Sequence, residues 1–340
     1  MRHPDKTKLI FLVVLLIVLA ALDLSFGTVQ VPLSDIWRMI TGDVGEDQLW
    51  SIIIMEIRLP KTCTAILAGC ALPVAGLCMQ TYFRNPVAGP DILGVSAGSS
   101  LFVAFLMLSG ISITSASVFG TVPIILAAVS GAALVLIVIL FVSVRIRDTM
   151  TLLIFGIMFG MAISAVVGVL QYYSERGALK LFMLWTFGSL NGVTLEQLNW
   201  FAPIIILSLI GAMFLSGKLN LLLLGEQYAK SSGLNVRQTR YLVILLTAVI
   251  TGVITAFCGP IAFIGIAVPH LARMLFRIND HRILLPACML IGACILLICD
   301  MLTQIPGEDG ILPLNAITAC MGAPFVIFII WKQQHVANQF

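Results

Sequence analysis

A chain of 340 residues that is 60% apolar and only 10% charged, with a mean hydropathy of +1.08, is not a soluble globular domain. A net charge of +3 without a basic cluster offers nucleic acid no electrostatic footprint. One membrane-crossing helix takes about 20 apolar residues, so there is room for about ten.

The first apolar run, 9–27, follows Arg2, Lys6 and Lys8. No small-x-small cleavage site comes after it, so it reads as a retained span with a cytoplasmic N-terminus rather than a signal peptide. Further spans are predicted at 60–82, 90–109, 121–144, 151–173, 198–217, 238–258, 262–277, 283–301 and 312–332. The expected architecture is an all-α membrane protein of about ten helices, one domain over 1–340 with both termini cytoplasmic. Fourteen of the nineteen Lys and Arg then fall inside, and five (Arg38, Arg58, Lys61, Arg176, Lys180) fall outside. The positive-inside rule favours that orientation.

Three polar segments acquire addresses. Residues 31–57 lie outside, where Pro32, Ser34 and Asp35 open a short amphipathic helix through Ile36, Trp37, Met39 and Ile40. Residues 175–199 also lie outside, and Leu181–Trp185 suggests a half-helix dipping into the membrane face. Residues 218–240 lie inside as a short helix, a break at Ser232-Gly233 and a second helix start; Gly233 suits the left-handed cap. The eight cysteines sit within apolar runs without a CxxC, as packing residues do, with a metal or redox role the alternative.

The second span begins Arg58-Leu59-Pro60-Lys61, carries Gly69, Gly76 and Gln80, and ends Arg84-Asn85-Pro86-Val87-Ala88-Gly89-Pro90. Gly69 and Gly76 share a helix face and permit close helix contact. Asn85-Pro86 stops the helix, Asp91 is placed to cap the next one, and Gly94, Gly98 and Ser99 form another small-residue face. Further on come Trp185-Thr186-Phe187-Gly188-Ser189-Leu190, the interior Gly225–Val236, and Gly259–Arg273, which reads GPIAFIGIAVPHLAR. Gly259, Pro260, Gly265 and Pro269 interrupt an apolar stretch in a way lipid-exposed helices do not tolerate. Gly322-Ala323-Pro324-Phe325 follows in the last span. Generic tight packing accounts for each piece but not for their order.

That order resembles the FecCD-type permeases, the membrane subunits of ABC importers for iron chelates, haem and cobalamin, over nearly the whole chain. The resemblance implies a type II importer permease fold in the bacterial inner membrane, working as a homodimer with two cytoplasmic ATPase subunits and an extracytoplasmic substrate-binding protein. ATP and Mg would belong to the ATPase, with no cofactor in this chain. By the same resemblance, Gly225, Glu226, Gln227, Ala229, Ser232, Gly233 and Leu234 dock on the ATPase; a solvated loop is the plainer reading. Arg58 and Lys61 are placed to pair with carboxylates on the binding protein, although Lys61 lacks the bidentate fork of Arg; interface anchoring is the alternative. The acidic turn Gly307-Glu308-Asp309-Gly310 stands where some members of the family carry a basic docking residue, so a third basic contact is not expected.

Pathway candidates are Gln171, Tyr172, Tyr173 and Ser189. His270 and His281 fall on the cytoplasmic side, so no metal site is expected, and His270 is expected to bond a carbonyl freed beside Pro269. Asp300 is expected at the solvated outer interface. Gly211–Lys218 only loosely imitates a phosphate loop: five residues separate Gly211 from Gly217, and Leu219 stands where Ser or Thr is needed. An iron(III)–siderophore is the first substrate expectation, with haem or cobalamin next. An ion-driven secondary transporter is the rival of another class, and it requires ionisable residues in mid-span.

Overall fold

The computed structural model describes residues 3–26, 50, 52–108, 122–146, 148–305 and 312–337. The outer helix expected around Ile36–Ile40 and the acidic turn at Gly307–Gly310 lie outside the described residues. The α-helices in chain order are α1 (His3–Ser25), α2 (Leu59–Phe83), α3 (Val95–Leu108), α4 (Val122–Arg145), α5 (Thr149–Tyr173), α6 (Arg176–Thr186), α7 (Leu195–Leu223), α8 (Glu226–Ser231), α9 (Val236–Cys258), α10 (Ile264–Phe276), α11 (His281–Thr303) and α12 (Leu314–Ala337). Among the described residues seven helices are long and apolar enough to cross a membrane, and three shorter apolar ones (α3, α10, α12) bring the number to ten.

Three helices form the interior. Of their most apolar stretches α2 buries 78%, α11 72% and α9 67%, whereas α1, α4, α5 and α7 bury between 22% and 28%. The outer helices therefore present apolar faces that only lipid or another subunit can cover. α2 packs against α11, α7, α10 and α9 and is the post around which the others stand.

Close packing there depends on prolines meeting glycines. Pro73, inside α2, cannot donate to the carbonyl of Gly69, and Pro269, inside α10, cannot donate to that of Gly265. The Gly69 oxygen lies against Gly292 of α11, and the Gly265 oxygen lies against Gly76 of α2. A methyl group at Gly292 or Gly76 would overlap those oxygens, so only glycine allows the approach. Each contact places an α-carbon hydrogen on a carbonyl left without its helical donor, worth about 0.5–1 kcal/mol. Gly98 of α3 and Gly131 of α4 are similarly pressed backbone to backbone.

Several boundaries differ from expectation. The second helix starts with a π-helical stretch at Ile53–Arg58, so the end of the outer segment belongs to this crossing helix. The wide turn stops just before Pro60, which has no N–H to continue its ladder and is tolerated in the first turn of α2. The third begins as a 3₁₀ turn at Pro90–Leu93, and α3 proper waits until after Gly94, at φ +74°. The eighth is helical only from Ile264, because Gly259 (φ +72°) and Phe263 (φ +67°) hold 259–263 out of helix.

Candidate functional site

The basic end of the bundle is built from helix termini. α7 ends at Leu223, Gly225 (φ +119°) turns the chain, and α8 follows at once. Gly233, at φ +84°, closes α8 by donating to Lys230 O at 3.0 Å, while Leu234 N–H reaches back to Ala229 O at 3.0 Å. This pair of bonds is the Schellman stop expected of Gly233. Asn235 then caps α9 by accepting from Gln238 N at 3.0 Å. Ala229 is wholly buried and seats α8 on the bundle, while Gln227, Tyr228, Lys230, Ser231, Ser232 and Gly233 are exposed. Leu234 is half-buried, as is Glu226, whose pair with Lys230 at 2.8 Å is open to solvent and adds little. The result is a short rigid knob with a polar crown and one apolar foot.

Arginines fasten the roots of this knob. Arg84 Nη2 donates to Leu222 O at 3.2 Å, tying the α2–α3 turn to the last turn of α7. Arg240, one turn into α9 and only 7% exposed, donates through Nη1 to Ser143 O (3.2 Å) and Ile146 O (2.9 Å) at the end of α4. A cation on those carbonyls is favoured by the helix dipole. Asp148 then starts α5 by accepting from the Thr151 hydroxyl and N–H, both at 2.7 Å, which hold its carboxyl below the ordinary range. Both turns leading into α3 and α5 are thus pinned to the knob's flanks.

The Asn85-Pro86 turn gathers the rest of this end. Arg84 at φ +48° and Asn85 stop α2 with the same two-bond pattern, and Asn85 Oδ1 accepts from Val87 N at 3.0 Å. His270 bonds Pro86 O at 2.8 Å, not a carbonyl beside Pro269 as expected, because the carbonyl that Pro269 frees is covered by Gly76. Gln80 joins α2 to α10, accepting from Arg273 at 2.8 Å and donating to Ile266 O at 3.2 Å. His281 lies between Thr81 Oγ1 and Asn220 Oδ1, both at 2.7 Å, and Asn220 donates to Asp280 at 2.6 Å. Since Asn220 Oδ1 also accepts from His281 N at 2.9 Å, the proton belongs on Nδ1 and Thr81 donates to Nε2.

At the opposite end two motifs distant in sequence interlock. Ser189 N donates to Cys258 O at 2.8 Å, and Gly188 (φ +72°) lies against Pro260 O. A methyl at Gly259 would overlap Trp185 O. Asn315 of α12 donates its N–H to Phe187 O at 3.0 Å and accepts from Ala262 N at 3.1 Å; Gly322 makes room for Phe263. The broken backbone of 259–263 is therefore satisfied by α12 and by the loop after α6. Asn315 was not singled out from sequence; a lone amide opening the last span was its signal.

Arg58 and Lys61 are turned inward at this end. Arg58, 7% exposed, donates to Leu24 O (2.7 Å) and Ser25 O (3.0 Å) at the end of α1. Lys61 pairs with Asp300 Oδ2 at 2.6 Å, and Thr62 donates to Asp23 at 2.5 Å. Neither cation presents a free charge to a docking partner, and direct docking requires these bonds to break. Asp300 is 3% exposed, so the expectation of a solvated interfacial position is corrected: Lys61 neutralises it inside the bundle.

The pathway candidates do not share one surface by contact. Tyr172 and Tyr173, above 80% exposed, end α5, and Gln171 beside them is half-buried. Ser189 is exposed in the loop after α6. A further cavity of about 490 Å³ opens along α5, lined by Gly156, Gly160 and Ser164 with Asp91, Gly94 and Ser96 facing them. The Asp91 carboxylate accepts from the Ser96 hydroxyl, which neighbours Thr255 Oγ1 at 3.2 Å. Gly211–Lys218 is uninterrupted helix within α7 and cradles nothing.

The α2–α3 turn, the knob and the interlocked 185–190 and 259–263 loops unite the motifs that set the sequence apart, and the FecCD transport family model matches residues 15–332. The chain belongs to the FecCD transport family. The hemin transport system permease protein HmuU of Yersinia pestis is 35% identical over 342 residues, covering 98% of each chain. The vitamin B12 import system permease protein BtuC of Klebsiella pneumoniae is 33% identical over 333 residues, 98% of this chain and 96% of that one. A solved inward-facing ABC transporter, described as of metal-chelate type, superposes with a TM-score of 0.84 at 28% identity, over 96% of this chain and 99% of its own. The fold is thus shared with that transporter over 96% of this chain.

Proposed function

We propose that this chain is the membrane permease of an ATP-driven importer for a metal chelate, an iron(III)–siderophore first. Two copies pair around a central pathway, two ATPase subunits bind the basic end in the cytoplasm, and a substrate-binding protein delivers the chelate at the opposite end of the inner membrane. The observation that carries the reading is the knob: an exposed, capped helix whose flanks are bonded to the turns opening α3 and α5. A partner that displaces α8 would move both turns with it. The exposed α5 face (Ile154, Met158, Met161, Tyr172) suits a second copy or the pathway. Gln171, Tyr172, Tyr173 and Ser189 remain its proposed outer lining, and Glu226, Gln227 and Ser232 its proposed ATPase contacts.

Hemin is the second reading, favoured by 35% identity to a hemin permease over 98% of the chain, and cobalamin follows on the same ground. Uptake of ⁵⁵Fe-siderophore, hemin and labelled cobalamin by cells with and without this chain separates them. Loss of siderophore uptake alone is expected on deletion. Intact uptake of all three in the deletion strain overturns the proposal.

A further inference from the structure

Two apolar grooves run side by side on the outer wall made by α4, α7 and α9. One, of about 530 Å³, lies between α7 and α9 and is lined by Leu207, Phe214 and Leu246 among others. The second, of about 450 Å³, lies between α4 and α9 along Leu140, Phe141 and Val144. Leu242 and Leu245 wall both, so the grooves are separated by a single ridge of α9. Their basic and aromatic polar groups gather at one end. Lys218 lines the first groove near the end of α7, and Tyr241 lines the second near the start of α9. Arg237 donates to the Tyr241 hydroxyl at 3.2 Å and sits 5.8 Å from its ring, which holds the guanidinium at the mouth. Arg145 closes α4 at the same end. Lys218 makes no hydrogen bond or ion pair with another described residue.

We propose that this wall binds one anionic diacyl phospholipid, with an acyl chain in each groove and its phosphodiester between Lys218 and Arg237. Twin apolar channels with their cations gathered at one end match two hydrocarbon tails joined at one phosphate. Cationic pockets between transmembrane helices hold anionic headgroups for this reason, and a guanidinium fixed by a phenol is pre-oriented for phosphate. A second copy of the chain fits less well, because a two-fold contact would bring two Lys218 ammonium groups, neither paired among the described residues, into an apolar interface. The site spans the two helices that meet at α8. Resting on the function proposed above, a bound headgroup would brace both roots of the knob and raise coupled transport.

Native mass spectrometry of the purified chain with phosphatidylglycerol or phosphatidylcholine tests the site. One phosphatidylglycerol should survive delipidation and phosphatidylcholine should not. Each cation near an anionic headgroup is worth about fivefold, so Lys218→Gln/Arg237→Gln should weaken retention on the order of thirtyfold. The control Arg176→Gln/Lys180→Gln, at the opposite end, should retain the lipid. Equal retention of both lipids, or unchanged retention in the Lys218/Arg237 variant, overturns the site. Loss of a dimer in that variant, with lipid unchanged, assigns the wall to a second copy and overturns it equally. Reconstitution of the complex in vesicles with and without phosphatidylglycerol tests the bracing: unchanged uptake despite retained lipid overturns that consequence alone. The binding arm needs no ATPase, so failure of the importer reading leaves it decisive.

Discussion

Replacing Lys61 by methionine removes one half of an ion pair whose side chains are 6% and 4% exposed and 2.6 Å apart. The carboxylate of Asp300 would be left inside the packing of α1, α2 and α11, and breaking a buried pair this way costs about 3–5 kcal/mol. For a chain of this size that corresponds to a fall on the order of 4–7 °C in the unfolding midpoint. Removing both charges, as Lys61→Met/Asp300→Leu, exchanges the pair for apolar contacts and should be close to neutral. Cys78, Cys288 and Cys299 are buried, so their reaction with a thiol-reactive fluorophore, above the native labelling of the exposed Cys320, reports the unfolding. The double variant should therefore recover most of what the single one loses. A single variant as stable as wild type, or a double variant worse than the single, refutes the internal-pair assignment. If Lys61 instead docks the binding protein directly, Lys61→Met would weaken capture of that protein without shifting the midpoint.

Gly76→Ala should reduce folded yield and cost at least about 1–3 kcal/mol, because its methyl meets the backbone oxygen of Gly265 rather than a movable side chain; Gly168→Ala, with open space around it, is the control for a midpoint measurement. Gly233→Val forces a branched residue to φ +84°, a strain of about 1–2 kcal/mol. It should lower co-purification of the ATPase while leaving the global unfolding midpoint nearly intact. The Asp148 carboxyl, held low by Thr151, stabilises the start of α5 above its unfolded value, about 3.9, and loses that contribution as pH falls through its lower folded value. The stability difference between wild type and Asp148→Ala, followed by thermal unfolding, should be present at neutral pH and vanish in strong acid.

The membrane class, the helix order and the Gly233 stop were legible because each rests on local chemistry: apolar length, interspersed charge, and a glycine where only a left-handed residue fits. The Gly69 and Gly76 face was legible too, yet its two partners were not, since sequence does not say that Gly69 meets α11 while Gly76 meets α10. Arg58, Lys61 and Asp300 read as interfacial because they stand near span ends; mutual pairing, a long-range fact, drew them inside. His270 shows the same limit. A proline four residues after Gly265 does free a carbonyl, but an opposing glycine had already covered it. Asn220, Asn315 and Arg240 gave no pattern of their own, and they acquire roles only where helix ends distant in sequence converge.

On the function proposed above, this chain carries its substrate only when the partner ATPase drives the Gly225–Val236 knob. Chelate uptake into vesicles holding the chain and its ATPase, with loaded binding protein outside, measures that dependence. Uptake should require hydrolysable ATP inside the cytoplasmic compartment and should stop in the Gly233→Val variant. Uptake driven by a proton or sodium gradient in vesicles lacking the ATPase would contradict it.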